Sequence, residues 1–267
     1  MDSNLLQDQL LLAALLFGAG LLTALALWKR GWFTFHDKTL PTHRITARAW
    51  SPRETGLLFG ALFAIYLAAG FAGSVFDKER LPIAQIATML IFYVVVAIFV
   101  GYVRRSRGNL FGMQATNIRH LLTGSVIYLA TIPLLMVVGV IFRELLSLFF
   151  NSDLPAQEVS ELLHGDFSLL HLCYILMAIV GAPFYEEILF RGVLFPYLLR
   201  RSNMNWAIGM TSIVFAAIHL HLPSAAPLIL MSVVSCLLYW RTGSLWSSIG
   251  LHATWNTTAI FVLNLGG

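Results

Sequence analysis

Of the 267 residues, 58% are hydrophobic and only 11% are charged, where ordinary soluble domains carry roughly a quarter charged residues. A mean hydropathy of +0.77, with no long polar block, leaves no room for a sizeable aqueous domain and excludes a soluble globular enzyme. A net charge of +4 and a pI near 9.3 do not point to nucleic acid, because the basic residues are spread over loops beside helix ends, where anionic lipid headgroups meet them.

Eight stretches are long and apolar enough to be read as spans: Leu10 to Trp28, Thr55 to Phe76, Ile86 to Val103, Leu121 to Phe142, Leu169 to Phe195, Trp206 to Leu222, Ala225 to Trp240 and Leu245 to Leu265. The seventh is short. Backbone polar groups in lipid must be satisfied within their own segment, so each stretch reads as a helix. The expected fold is an all-α polytopic membrane protein of about eight transmembrane helices. Asp2 and Asp8 precede the first span with no Lys or Arg, unlike the cationic start of a cleaved signal peptide, so we read that span as a retained helix.

The connections differ in charge. Residues 29–54 carry six Lys or Arg, residues 104–120 carry four, and Arg200, Arg201 and Arg241 lie in alternate loops on the same side. The other side has Lys78, Arg80 and Arg143, and an acidic connection from Arg143 to Ser168 with an amphipathic Glu158 to Leu163 stretch. Positive loops stay cytoplasmic, which places both termini on the non-cytoplasmic face, in a cytoplasmic (inner) membrane by default. Cys173 and Cys236 both fall inside spans and read as small apolar side chains rather than a redox or metal pair.

Chemistry must therefore come from polar groups within the helices. The eight spans contain three Asp, Glu, Lys or Arg residues, all in Phe184-Tyr185-Glu186-Glu187-Ile188-Leu189-Phe190-Arg191. Ionisable groups near the bilayer centre cost about 2.5–3.5 kcal/mol each on insertion scales, so such a cluster marks a functional site. At about 100° per residue, Glu187 and Arg191 lie about 40° apart on one helix face while Glu186 sits about 100° round from Glu187. Glu187 thus pairs with Arg191, and Glu186 is left as an unpartnered carboxylate suited to a general base. The bland alternative is one buried ion pair with a spare protonated glutamate. Gly181-Ala182-Pro183 stands ready to open or kink the helix just before the pair.

Two more spans carry polar residues four apart. Phe215 and His219 share a face of the sixth, and His252 and Asn256 share a face of the eighth. His221 lies on the far side of the sixth and reads as interfacial. A Glu, two His and an Asn from three helices offer a base, an orienter and two hydrogen-bond donors in one cavity between the C-terminal helices.

Taken together, these residues resemble the CAAX prenyl protease type II and bacteriocin-processing (CPBP, or Abi) family of intramembrane proteases. Glu186, Glu187 and Arg191 look like its first motif, Phe215 with His219 like its second, and His252 with Asn256 like its third, in that order over roughly residues 169–262. The resemblance implies hydrolysis of a peptide bond within the membrane, with Glu186 and His219 activating a water and His252 and Asn256 stabilising the oxyanion. Glu187, Arg191 and Phe215 would support the site. It divides the chain into four N-terminal spans with their connecting loop, 1–168, and a protease core of four spans, 169–265.

No cofactor is favoured. Glu186, His219 and His252 are acceptable zinc ligands, so a metalloprotease stays open, but no His-Glu-x-x-His pair is present and Asn256 suits an oxyanion better than zinc. The expected partners are membrane lipids and a peptide or membrane-protein substrate, with no nucleic acid. Two other classes compete: a proton-coupled transporter, which would need further charged residues in the first four spans, and a non-catalytic membrane scaffold or bacteriocin-immunity protein.

Overall fold

A computed structural model describes residues 3–32, 45, 50–75, 81–107, 118–150 and 169–265. The amphipathic Glu158 to Leu163 stretch and the loop residues Lys38, Arg44, Arg48, Lys78 and Arg80 lie outside the described residues. Eight helices occupy the eight expected spans: α1 (Ser3–Lys29), α2 (Pro52–Val75), α3 (Leu81–Arg107), α4 (Ile118–Phe150), α5 (169–199), α6 (Met204–Ala217), α7 (Ala225–Thr242) and α8 (Leu245–Leu265). Among the described residues there is no strand. The chain is an all-α polytopic integral membrane protein.

Among the described residues, five stretches are long and apolar enough to cross a bilayer: Leu10–Lys29, Pro52–Phe71, Ile118–Phe150, His171–Leu199 and Leu222–Thr242. The apolar parts of α3 and α6, Ile86–Tyr102 and Met204–Ala217, are shorter. The short C-terminal helix is therefore the sixth rather than the seventh. α6 stops at Ala217 because Leu220 takes a left-handed conformation (φ 48°) and Pro223 follows, which together prevent a further helical turn. The fourth span also outruns expectation: α4 continues to Phe150, so Arg143 and Glu144 belong to its last turns and not to the loop.

Helix ends follow local chemistry. Ser51 and Glu54 form a reciprocal capping box at the start of α2, with Glu54 Oε2 accepting from the Ser51 backbone N–H (2.9 Å) and hydroxyl (2.8 Å) while Ser51 Oγ accepts from Glu54 N–H (3.2 Å). Asn203 Oδ1 caps α6 by accepting from Trp206 N–H (3.0 Å). Gly243 ends α7 at φ 64°, its N–H donating to the Tyr239 carbonyl (2.7 Å).

Apolar side chains on the outer faces, such as Leu22, Phe71, Ile98 and Leu148, are exposed, and in this setting they meet lipid. Inside, lipid gives no hydrophobic drive between helices, so association relies on close packing of small residues. α4 and α8 meet this way: a Cβ on Gly124 would strike the backbone of Ser247 and Leu251, and one on Gly250 the backbone of Leu121. Ser125 and Thr254 share a hydroxyl hydrogen bond (2.7 Å) across the same contact. The contact fixes α8, and with it His252.

Candidate active site

The site is built on α5, whose ladder is interrupted twice. Met177–Gly181 and Ile188–Leu194 are π-helical turns inserted between α-helical segments, with α-region backbone angles at every junction. The helix is widened rather than broken, and this is how Gly181-Ala182-Pro183 is accommodated. Such turns are common at functional sites. In the first, Ala182 N–H bonds five residues back to the Met177 carbonyl. Pro183 has no N–H to continue that register to Ala178. Asn256 supplies the donor instead, its Nδ2 reaching the Ala178 carbonyl at 2.7 Å.

The second interruption repeats the arrangement. Pro196 cannot donate to the Gly192 carbonyl four residues earlier, and the Trp50 indole N–H takes that acceptor at 2.8 Å. Trp50 is 1% exposed and lies against Phe99 of α3 with ring centroids 4.8 Å apart. Both proline defects are thus closed by side chains from outside α5, Asn256 of α8 and Trp50 just before α2, which holds the intervening residues 184–194 in place.

Those residues carry the charges. Arg191 Nη1 donates to Glu187 Oε1 (2.9 Å), with both side chains fully buried. Arg191 Nη2 donates to the Ser232 carbonyl (3.2 Å) and hydroxyl (2.9 Å) on α7, and the guanidinium lies 4.9 Å from the Phe215 ring centroid. Glu187 Oε1 also accepts from His252 Nδ1 (2.9 Å). An ionised carboxylate can only accept, so the Nδ1 of His252 carries the proton. Its other nitrogen, Nε2, stands 3.9 Å from Glu186 Oε2. That Glu186 oxygen is buried with no hydrogen-bond partner, while the side chain as a whole is 20% exposed.

His219 lies in the turn beyond α6 rather than on the helix. Its Nδ1 donates to the Phe215 carbonyl (2.7 Å), one of the last-turn carbonyls without an intrahelical donor. A carbonyl accepts only, so the neutral ring keeps a bare Nε2. The fully buried Phe215 ring packs against both imidazoles, 4.8 Å from His219 and 5.7 Å from His252 between centroids. His221 also lies beyond α6 and bonds to Ser224 Oγ (2.8 Å).

Glu186, Glu187, Arg191, Phe215, His219 and His252 are therefore brought together, and Asn256 joins them through the backbone of α5. Among the described residues no three His, Cys, Asp or Glu side chains stand together as a metal-binding group. Sequence reading missed Ser232, Trp50 and the carbonyls of Ala178 and Gly192. A buried serine and an indole have no helical periodicity with their partners, but the two prolines on α5 signal the open carbonyls.

Residues 168–258 match the family model described as type II CAAX prenyl endopeptidase, Rce1-like. The C-terminal segment is similar to this family. The segment is also similar to a Bacillus subtilis (strain 168) protein named "Putative membrane peptidase YdiL", 32% identical over 91 residues, which are 34% of this chain and 37% of that protein. The similarity thus spans little more than a third of either chain. No solved structure matches. The matched segment contains every candidate site residue, whereas Trp50 lies outside it.

Proposed function

We propose that this protein is an intramembrane endopeptidase that hydrolyses a peptide bond in a membrane-embedded peptide or membrane-protein substrate. The observation that carries the reading is the buried, unpartnered oxygen of Glu186 beside His252, whose ring and that of His219 both pack against Phe215. A buried acceptor with no protein partner costs about 1–3 kcal/mol, and a water bound to Glu186 offsets that cost. Glu186 and the bare Nε2 of His219 then orient this water and take its proton as its oxygen attacks the scissile carbonyl. As the C–N bond breaks, the proton passes from Glu186 to the amide nitrogen, so the water is divided between the new carboxyl and the new amine.

The tetrahedral oxyanion needs donors. Asn256 has two N–H groups, one held by Ala178 and one left over. His252 donates through Nε2 in its doubly protonated form, which sets one imidazolium and one guanidinium against the carboxylates of Glu186 and Glu187. Glu187, Arg191 and Ser232 fix the His252 ring in the way a buried carboxylate fixes the histidine of a catalytic triad. The charged loops favour both termini on the non-cytoplasmic face, with a cytoplasmic (inner) membrane taken by default.

The test is incubation of the liposome-reconstituted protein with a library of membrane-spanning peptides in H2¹⁸O. The expected result is paired fragments with one ¹⁸O in each new carboxyl terminus. Intact peptides throughout, with folded protein, would overturn the reading.

A further inference from the structure

The N-terminal helices lie outside the family segment, yet α3 reaches the site. Tyr93 of α3 stacks on Tyr185, the neighbour of Glu186, with centroids 4.3 Å apart and planes at 12°. Its phenol tip covers Gly181: a Cβ there would sit 2.9 Å from both the hydroxyl and Cε2 of Tyr93. Gly181 and Tyr185 are four residues apart and share a face of α5, so the phenol lies along that face with its hydroxyl at the first π turn. Tyr93 is half-buried, and Tyr185, on which it stacks, adjoins Glu186 in the chain. Glu186 Oε2 is a buried acceptor without a partner, as is Glu187 Oε2, whose carboxylate is held by Arg191 and His252 through its other oxygen. A donor and an orphan acceptor thus stand at one site, and the lack of a side chain at residue 181 makes the space for the donor.

We propose that Tyr93 is a positioning residue for Glu186, its hydroxyl donating to the carboxylate through one bridging water and holding it in the orientation that receives the proton. The proposal rests on the endopeptidase reading for its consequence in catalysis, but the contact itself does not. Tyr93→Phe keeps the stack on Tyr185 and removes only the donor. Gly181→Ala keeps the donor and pushes the phenol tip aside, since the obstructed atoms belong to the far end of a side chain.

Two readouts separate the ideas. Reaction of Glu186 with dicyclohexylcarbodiimide, a membrane-soluble carboxyl reagent, is followed by mass spectrometry and needs no activity. Freed of the donor, Glu186 is expected to label at least about three-fold faster in each variant, and no faster in the double variant. Unchanged labelling in both single variants overturns the proposal whether or not the protein cleaves peptides. In the cleavage assay, Tyr93→Phe is expected to lower kcat about ten-fold, the equivalent of one hydrogen bond to a charged group, with KM within two-fold. A change confined to KM would assign Tyr93 to substrate contact and also overturn it. Loss of cleavage by the wild type with the labelling effect intact would instead count against the endopeptidase reading alone.

Discussion

Replacing Arg191 by methionine tests whether the buried ion pair anchors the site. The guanidinium is fully buried and makes three hydrogen bonds, one to Glu187 and two to Ser232. Without it, Glu187 keeps only the bond from His252, and the Ser232 hydroxyl and carbonyl lose their donor. Breaking a buried pair from one side costs about 3–5 kcal/mol, because the remaining charge is left uncompensated. At roughly 2–4 °C per kcal/mol for a protein of this size, the midpoint of thermal unfolding in detergent falls by roughly 6–20 °C. Adding Glu187→Gln to Arg191→Met removes the stranded charge while retaining an acceptor for His252, so the double variant melts above Arg191→Met. A midpoint within about 2 °C of wild type, or a double variant less stable than Arg191→Met, would refute this account of the cluster.

Three further outcomes follow from the helix contacts. Trp50→Phe preserves the ring against Phe99 but leaves the Gly192 carbonyl open, and is expected to cost about 1–3 kcal/mol in detergent unfolding. Gly124→Ala and Gly250→Ala each drive a methyl into the facing backbone and are expected to destabilise by about 1–3 kcal/mol, while Gly209→Ala, with open space around it, leaves the midpoint unchanged. Asn256→Asp loses the donor to Ala178 and sets a carboxylate against a carbonyl; its unfolding midpoint should fall below that of Asn256→Ala, which loses the donor alone.

The parts of this site legible in the sequence are those set by helical period. Glu187 and Arg191 are one turn apart, so their pairing, and the exclusion of Glu186 from it, follow from about 100° per residue. The eight helices were legible because lipid imposes helices on apolar stretches. Their ends were not. Hydropathy counts apolar residues rather than helical ones, so the run Trp206 to Leu222 concealed a helix stopping at Ala217, with left-handed Leu220 beyond it. Conversely, Arg143 and Glu144 resembled a loop although α4 continues through them.

Long-range partners were out of reach for a different reason. Trp50 and Gly192 are 142 residues apart, and an indole that fills the gap left by a proline leaves no pattern along either helix. The prolines themselves were informative only in part: Pro183 marked a defect, but whether the helix would break, kink or take a π turn depended on which donor could reach Ala178. That donor, Asn256, had been assigned to chemistry alone, and the geometry adds a structural bond to it.

The central claim is that Glu186 activates the water that cleaves a peptide bond. Its most direct test is the initial rate of membrane-peptide cleavage by liposome-reconstituted wild type and Glu186→Gln side by side, with folding checked by thermal unfolding and with a strong chelator in parallel. The account predicts cleavage by the wild type, insensitive to the chelator, and a loss of about 10²-fold or more in Glu186→Gln, the range for removing a general base. Equal rates in the two proteins, or cleavage abolished by the chelator and restored by zinc, would contradict it.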